Sequence, residues 1–569
     1  MTAGAVVLGT SGDGLGYARL DADGAIVEHG TIVDGDLARF VAETGAARWI
    51  WSDTAHWYPR LLAAGVRVAR CRDLRLCHAI LRDSAFVGAP TEIRAATSWD
   101  AAGEQEVDAA APALFALSGE SGPRGVPHDL DAAVAEEVRQ RTAVRSSAEH
   151  GRLELLCAAE SAGALIAAEM RAAGLPWDVA EHERILEETL GSRPPAGGLP
   201  ARMAMLAGEI RTHLGDAQAT LDAPAKLLRS LHRVGVPAQS TSKWELSRYE
   251  HPVIAPLLQY KRLSRLLTAN GWAWLDEWVS DGRFRPVYVP AGVVTGRWAS
   301  SGGGALQIPR MLRQAVRADE GWTFVVADVA QLEPRVLAGM SNDLALARAA
   351  QGRDLYAGIV DSGTVATRAE AKVAMLGAMY GATTGESGRL VPRLRRAYPR
   401  AMKLVDDAAR TGEQGGVVST WLGRSCPAPS TRWARAQRQA AGETGTAVER
   451  DRARREAGDR GRFTRNFIVQ GTAAEWALAW LGEVRSRLAA LDAVPTSEQA
   501  PRSGSGLGTR PHLAFFLHDE LIVHTPLRHA EAAATIVREA AASAGRLLFG
   551  GFPIDFPLDL KVADTAAKD

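Results

Sequence analysis

The chain has 569 residues, of which 46% are hydrophobic and 23% are charged, and its formal net charge is zero. This length predicts roughly three to four domains, and the composition is that of a folded globular protein and excludes a disordered chain. No apolar run approaches the roughly 18 residues of a membrane span, the start lacks the basic segment of a signal peptide, and the four cysteines form no Cys-x-x-Cys pair. We therefore expect a cytoplasmic protein without a structural zinc site or a disulfide framework.

The zero net charge hides an asymmetry along the chain. Residues 1–150 contain 21 acidic and 14 basic residues, so the remainder carries an excess of seven positive charges. A polyanionic partner is therefore expected to bind the C-terminal portion.

The N-terminal elements are predicted from their hydrophobic patterns. Short apolar runs that alternate with turn residues predict a small α/β domain over residues 1–90. Residues 91–150, rich in Ala, Glu and Gly, predict a helical connector. A long helix is predicted over Leu153–Ala173, and it ends at Gly174-Leu-Pro.

The later elements combine helices with one marked strand. Residues 222–280 are predicted to be helical and interleave basic with aromatic side chains. Residues 323–328 form an apolar run typical of a buried strand, and this run ends in an acid, Asp328. Residues 495–511 are rich in Ser, Gly and Pro and predict a flexible insertion.

Two separated acidic positions suggest a metal site. Asp328 ends the strand-like run, and His518-Asp519-Glu520 lies between the apolar runs 513–517 and 521–523, which predicts a hairpin with acids at its tip. Carboxylates in such positions can hold divalent cations, and two ions together can activate a hydroxyl and stabilise a leaving phosphate oxygen. The alternative is that each acid is an ordinary surface residue of a turn.

A second pattern suggests a phosphate-binding helix. Arg368, Lys372, Leu376 and Tyr380 are four residues apart and therefore share one side of a helix. An arginine and a lysine one turn apart can bind phosphates at two points. The alternative is a solvated basic face above an apolar core.

These motifs, in this order, resemble those of family A DNA polymerases. Asp328-Val-Ala-Gln-Leu-Glu-Pro-Arg335 is similar to the first palm motif of that family, Arg368-x3-Lys372-x7-Tyr380-Gly381 to its fingers helix, and His518-Asp519-Glu520 to its second catalytic motif. Two further stretches agree, namely Thr295-Gly296-Arg297 and Arg462-x3-Asn466-x3-Gln470. The resemblance covers about residues 150–569.

The resemblance implies a fold and a division into domains. We expect an α/β N-terminal domain of the exonuclease-like (RNase H-like) type, followed by an α+β right-hand polymerase fold with palm, fingers and thumb. The implied segments are 1–150 for the exonuclease-like domain and connector, 151–289 for the thumb and preceding helices, 290–345 for the first part of the palm, 346–509 for the fingers, and 510–569 for the second part of the palm. A 5′-nuclease domain is not expected.

The resemblance also implies the roles of the acids and of the lysine. Asp328 and Asp519 would bind two Mg²⁺ ions, for which Mn²⁺ can substitute, with Glu520 as a further candidate ligand. Lys372 would be catalytic, because it could protonate the pyrophosphate leaving group.

Further residues are implied to bind the nucleotide and the DNA. The residues implied to bind the dNTP are Arg368, Lys372, Leu376, Tyr380, Glu333 and Gln331. Those implied to contact the DNA are Arg297, Gln307, Arg462, Asn466, Gln470, His518, Lys261, Arg262 and Arg265. Leu376 is a departure, since the family usually has an aromatic residue there. The expected partners are primer–template DNA and dNTPs, the expected state is a monomer, and the expected setting is DNA replication or repair.

Three alternatives stay open at this point. A phage-like RNA polymerase shares part of these motifs, although Glu333 argues against it because that residue would crowd a ribose 2′-hydroxyl. A non-catalytic DNA-binding factor could keep the fold. An unrecognised 3′–5′ exonuclease site could accompany the polymerase, but we expect none, because the first strand, residues 5–11, contains no acid.

Overall fold

A computed structural model describes residues 4–12, 14–33, 36–44, 48–100, 125–195, 198–301, 308–352, 354–381, 385–442 and 445–567. The chain divides into two compact units. The first consists of Met1–Gly174, Val287–Gly302 and Glu320–Ala563, and the second of Leu175–Pro286, Gly303–Asp319 and Asp564–Asp569.

The first unit begins with a five-stranded sheet, which confirms the predicted α/β character of residues 1–90. Its strands are β1 Ala5–Ser11, β2 Gly14–Leu20, β3 Ile26–Ile32, β4 Arg48–Trp51 and β5 Cys71–Asp73. The spatial order is β3-β2-β1-β4-β5, with β1–β2 and β2–β3 antiparallel and β1–β4 and β4–β5 parallel. The run of large apolar side chains in β4 buries Trp49 and Trp51 almost completely, so this strand anchors the core of the sheet.

Helices surround this sheet and lead out of it. They are α1 Leu37–Thr44, α2 Thr54–Ala63, α3 Leu74–Asp83, α4 Thr91–Ala95, α5 Leu130–Arg145 and α6 His150–Ala173. The structure confirms the long predicted helix, which begins three residues earlier than the pattern indicated and ends at Gly174 with a φ of 66°. Residues 101–124 of the predicted connector lie outside the described residues.

The second unit is mainly helical. Its helices are α7 Val179–Leu190, α8 Ala201–Leu214, α9 Pro224–Arg233, α10 Lys243–Leu246, α11 Ile254–Asn270 and α12 Trp272–Trp278, and its short strands are β6 Leu175–Pro176, β7 Val279–Ser280 and β8 Arg283–Phe284. This confirms the helical character predicted for residues 222–280.

The remainder of the first unit is built on a second sheet. After the short pair β9 Val287–Val289 and β10 Ala299–Ser301, its strands are β11 Trp322–Val329, β12 His512–Leu517, β13 Glu520–Pro526 and β14 Leu558–Ala563. The order is β12-β13-β11-β14, with all neighbours antiparallel. The predicted strand and the predicted hairpin are thus both present, and they lie side by side.

Helices fill the sequence between these strands. They are α13 Leu332–Ser341, α14 Leu344–Ala349, α15 Leu355–Asp361, α16 Arg368–Tyr380, α17 Gly385–Ala397, α18 Pro399–Glu413, α19 Thr431–Ala441, α20 Ala447–Ala489 and α21 Ala530–Phe549. Helix α20 is 43 residues long and begins with a capping box between Thr446 and Glu449. Among the described residues no helix is long and apolar enough to cross a membrane.

The stretch 495–511, for which composition predicts a flexible insertion, contains backbone hydrogen bonds and short turns. The Val494 N–H donates to the Thr509 carbonyl at 2.8 Å, and the Ala500 N–H donates to the Gly508 carbonyl at 2.9 Å. One 3₁₀ turn, Thr496–Glu498, lies between these two bonds, and a second, Pro501–Ser503, lies within the loop that the Ala500–Gly508 bond closes. Local composition cannot reveal such backbone bonds, because they join residues on opposite sides of the loop.

Candidate active site

The sheet brings the two predicted acidic positions together. Asp328 lies opposite Glu520 in the register of β11 and β13. The Val329 N–H donates to the Asp519 carbonyl at 3.0 Å, so the hairpin tip is bonded to the end of β11. The tip itself is a two-residue turn in which His518 has a φ of 54°, a left-handed conformation that is uncommon outside glycine and is often found at functional sites.

The carboxylate of Asp519 lies in surroundings that disfavour its charge. Burial raises the pKa of Asp519 to about 6, with the charges of Glu333 and Asp328 acting in the same direction and Arg297 opposing them. Two carboxylates that repel each other are a suitable donor set for a cation, since a bound cation would remove the repulsion.

The donor set at this position is sparse. Among the described residues no group of three or more His, Cys, Asp and Glu side chains is arranged to hold a metal ion. Glu520 is almost fully buried behind the tip. What fits Mg²⁺ is the nearness of Asp328 and Asp519 and the repulsion between their charges, because this ion commonly takes one or two carboxylates from the protein and completes its shell with water and substrate phosphates.

Glu333, in the first turn of α13, is bonded to α16 and to Arg297. Its carboxylate accepts a bond of 2.6 Å from Nη2 of Arg297 and a bond of 2.8 Å from the hydroxyl of Tyr380. Burial raises the pKa of Tyr380 to about 12, helped by Glu333 and opposed by a hydrogen bond with Gln470. Four residues predicted for the nucleotide or DNA site are therefore in one hydrogen-bonded group.

Helix α16 presents the predicted cationic face. It starts with a capping box formed by Thr367 and Glu370, which fixes its first turn. Lys372 is exposed and makes no ion pair or hydrogen bond with any residue that the structure describes, whereas Leu376 is half-buried on the same side. The lysine is therefore available to an external anion.

Arg368, by contrast, is already engaged. Its Nε donates to Oδ2 of Asp354 at 2.6 Å, and its guanidinium lies 5.6 Å from the ring centre of Tyr356. Burial raises the pKa of Tyr356, and the charge of Glu333 acts in the same direction. Neither Asp354 nor Tyr356 belongs to a motif or spacing that marks it in the sequence.

Gln331 has a structural role in this structure. It precedes α13 with a φ of 49°, and its Oε1 accepts a bond of 3.2 Å from the N–H of Leu355. Its side-chain amide thus joins the end of β11 to the start of α15.

The predicted DNA-contacting residues of α20 differ in their exposure. Arg462 is exposed and pairs with Asp459, while Asn466 is buried. A Cβ at Gly381, where α16 ends, would come within 2.8 Å of Cγ of Arg462, so the glycine permits this close approach. Gln307 lies outside the described residues.

Three other predicted DNA-contacting residues lie in the second unit, on α11. Lys261 donates from Nζ to Oγ1 of Thr241 at 2.9 Å, and burial lowers its pKa. Arg262 and Arg265 are exposed and line a cavity of about 400 Å³ together with Arg310.

Arg335 has a structural role that the sequence analysis did not assign. Its side chain is completely buried and donates to the carbonyl oxygens of Ala330, Ala350 and Gly352, and to the carboxylate of Asp555 at 2.8 Å. These bonds tie the segment after β11 to two later loops. The position of Arg335 at the end of the first motif marks it as a residue of interest. Most of its partners lie too far away in the sequence for the motif to indicate them.

In the N-terminal sheet, the acids near the ends of β4 and β5 cap helices and form hydrogen bonds within the protein. Asp53 caps α2 and pairs with Nε of Arg75 at 2.9 Å. Asp73 caps α3 and also accepts a bond of 2.7 Å from the N–H of Thr54. Both carboxylates thus have partners within the protein.

Comparison with known proteins identifies similar chains. The profile of DNA polymerase family A matches residues 199–565. The thermostable DNA polymerase I of Thermus filiformis is 27% identical over 352 residues, which are 56% of this chain and 36% of that protein. DNA polymerase I of Chloroflexus aurantiacus is 30% identical over 330 residues, which are 53% of this chain and 31% of that protein. The chain therefore spans about a third of the length of these curated relatives.

A solved structure extends the similarity to the N-terminal part. It is described as the POL domain of Pol1 from M. smegmatis in complex with DNA primer-template and dNTP. The two folds superpose with a TM-score of 0.64 at 17% identity, over 99% of this chain and 95% of the other. At this identity the match shows a common fold.

Proposed function

The chain belongs to DNA polymerase family A, and on that premise we propose that it is a DNA-directed DNA polymerase that adds deoxynucleotides to the 3′ end of a primer. The observation that carries this proposal is the pairing of β11 with β13, which places Asp328 beside the turn that holds Asp519. Helix α16, which carries Arg368 and Lys372, is bonded through Tyr380 to Glu333, and the charge of Glu333 also acts on Asp519.

The proposed architecture follows the segments expected from the sequence. The antiparallel sheet β12-β13-β11-β14 supports a palm made of residues 290–345 and 510–569. The helices of 346–509 would be the fingers, and those of 151–289 would include the thumb. The sheet order β3-β2-β1-β4-β5 supports an RNase H-like domain over residues 1–150.

The proposed mechanism assigns a task to each charged group. Asp328 and Asp519 would hold two Mg²⁺ ions, which when bound lower the pKa of the primer hydroxyl and neutralise charge on the phosphates. Arg368 and Lys372 would bind the triphosphate from one side of α16, and Lys372 would pass a proton to the leaving pyrophosphate oxygen. Since Lys372 has no partner among the described residues, it can serve this purpose without breaking a bond.

Sugar and base-pair selection would depend on the group around Glu333. The Glu333 carboxylate, held by Arg297 and Tyr380, would occupy the space that a ribose 2′-hydroxyl needs. Arg297, Gln470 and His518 would face the minor groove, where A·T and G·C pairs present similar acceptors and pair shape can be tested without reading sequence. This arrangement favours a DNA polymerase over the RNA polymerase alternative.

We propose that the N-terminal domain has no proofreading activity. The first strand carries no acid, and Asp53 and Asp73 are occupied as helix caps. A bifunctional enzyme with an exonuclease site elsewhere is the second candidate.

The test is extension of a labelled primer on a template with Mg²⁺, first with dNTPs and then with NTPs. Template-directed extension with dNTPs alone supports the proposal, whereas preferred extension with NTPs would favour the RNA polymerase alternative. Binding of primer–template without any extension would favour the non-catalytic DNA-binding alternative.

A further inference from the structure

The N-terminal part of the first unit contains an arginine-rich cavity that the proposed polymerase function does not use. The cavity has a volume of about 270 Å³ and lies where β4 and β5 face α5 and the start of α6. Its charged lining residues are Arg48, Arg72, Arg141, Arg145, Glu137 and Glu154. Four guanidinium groups thus share the cavity with two carboxylates.

One carboxylate neutralises the inner part of the cavity. Glu137 is almost completely buried, accepts a bond of 2.7 Å from Nε of Arg141, and lies 3.2 Å from Nε of Arg72. The arginines inside are therefore held in place by a buried acid, which fixes the wall of the cavity.

The outer part of the cavity is less well neutralised. Glu154 is 45% exposed and lies 3.5 Å from Arg48 and 3.3 Å from Arg72, so it makes long contacts with both. Arg145 is exposed, and among the described residues its one hydrogen bond goes to the carbonyl of Asp23 at 3.4 Å. The lining therefore has two more positive than negative charges, and among its described residues Arg145 is the arginine that contacts neither of its two acids.

A larger cavity adjoins this one. It has a volume of about 360 Å³ and shares Arg48, Arg72 and Glu154 with the first. The rest of its lining is largely apolar and includes Leu155 and Leu478. A ligand could place an anionic group against the arginines and an uncharged body in the adjoining cavity.

We propose that this cavity binds a phosphorylated small molecule. Planar guanidinium groups match the oxygen geometry of phosphoryl groups and bind them with paired, charge-assisted hydrogen bonds. Glu154 competes with the ligand for Arg48 and Arg72. A phosphoryl group that enters the cavity therefore replaces the contacts that Glu154 makes with these two arginines. The shared chemistry is the phosphoryl group, whether from pyrophosphate or from a nucleotide.

The test uses the full chain with Arg368→Ala and Lys372→Ala, which removes the cationic face of α16 as a second phosphate site. Pyrophosphate and ADP are titrated separately in a calorimeter. We expect one bound ligand per chain, and binding at least about tenfold weaker after Arg48→Gln with Arg145→Gln, because two charge-assisted contacts are lost. Arg39→Gln, at an exposed arginine on α1 that pairs with Glu43, is the matched control and should bind like the parent.

The Glu154→Gln variant is expected to change ligand binding in the opposite direction to the double arginine variant. Removing the competing charge should tighten binding severalfold, and a variant that fails to fold cannot produce such a gain. The absence of binding to the parent, unchanged binding in the double arginine variant, or no gain with Glu154→Gln would each overturn the proposal. If ADP binds more tightly than pyrophosphate, the nucleoside of ADP occupies the adjoining cavity. If the two bind equally, the site recognises the phosphoryl groups alone.

Discussion

Among single residues, Asp328 and Asp519 are the most stringent test of the proposed chemistry. We expect Asp328→Asn or Asp519→Asn to reduce primer extension by at least about a hundredfold while leaving DNA binding largely unchanged, because the amide cannot replace the charge that holds the cations. Single-turnover extension and a binding titration measure the two effects. Asp492→Asn, at an exposed residue after α20, is the control. Extension within tenfold of the parent would refute the assignment.

The predicted discrimination between ribonucleotides and deoxyribonucleotides depends on Glu333. Glu333→Ala should raise ribonucleotide insertion relative to deoxyribonucleotide insertion by about tenfold, because the side chain that crowds the 2′ position is removed. Glu333→Gln keeps the volume and should keep most of the discrimination. The ratio of kcat/KM for the two nucleotides is the measurement, and an unchanged ratio in the alanine variant would exclude this role.

Asp354 pairs with Arg368 and should compete with the nucleotide for this arginine. An exposed ion pair contributes at most about 1 kcal/mol, so Asp354→Asn should lower the dNTP KM by up to about fivefold with little change in kcat. Arg368→Ala should raise KM, whereas Lys372→Ala should mainly reduce kcat.

The control for this prediction is Asp407→Asn, which breaks the exposed pair with Lys403 on α18 and should change neither constant. A higher KM in Asp354→Asn would show instead that Asp354 positions Arg368 for the nucleotide.

Among the secondary-structure elements, β1, β4 and β5 decide whether the N-terminal sheet can support hydrolysis. Since β1 has no acid and Asp53 and Asp73 cap α2 and α3, we expect no 3′–5′ exonuclease activity. A 3′-mismatched primer incubated with Mg²⁺ or Mn²⁺ and no nucleotides should keep its length. Shortening that persists in the Asp328→Asn protein would reveal an exonuclease site that the sequence analysis missed.

Across the whole first unit, a buried ion pair joins the N-terminal sheet to the long helix α20. Arg485 donates to Glu169 of α6 at 2.8 Å and to the carbonyl oxygens of Val68 and Ala69. Arg485→Ala should lower the free energy of unfolding by about 3–5 kcal/mol, because Glu169 would lose a partner while buried. Urea denaturation measures this.

Arg487→Ala is the matched control for this change, since it removes a partly exposed arginine two residues away on the same helix. It should cost less than about 1 kcal/mol. Equal losses in the two variants would mean that the buried pair does not join these parts of the protein.

The sequence by itself determined the local elements and the identity of the candidate site residues. The apolar run before Asp328, the hairpin around His518-Asp519-Glu520 and the four-residue spacing of α16 are short-range patterns, and the structure contains all three elements. Hydrophobic periodicity decides such elements because each depends on which face of a short segment is buried.

Only the tertiary structure decided which side chains meet. The bonds from Glu333 to Arg297 and Tyr380 join three separate segments, and Arg368 meets Asp354 across a loop. The same holds for the arginine cavity, whose members come from β4, β5, α5 and α6. Such contacts depend on how strands pair and helices pack, and one sequence without its fold carries no spacing rule that reveals them.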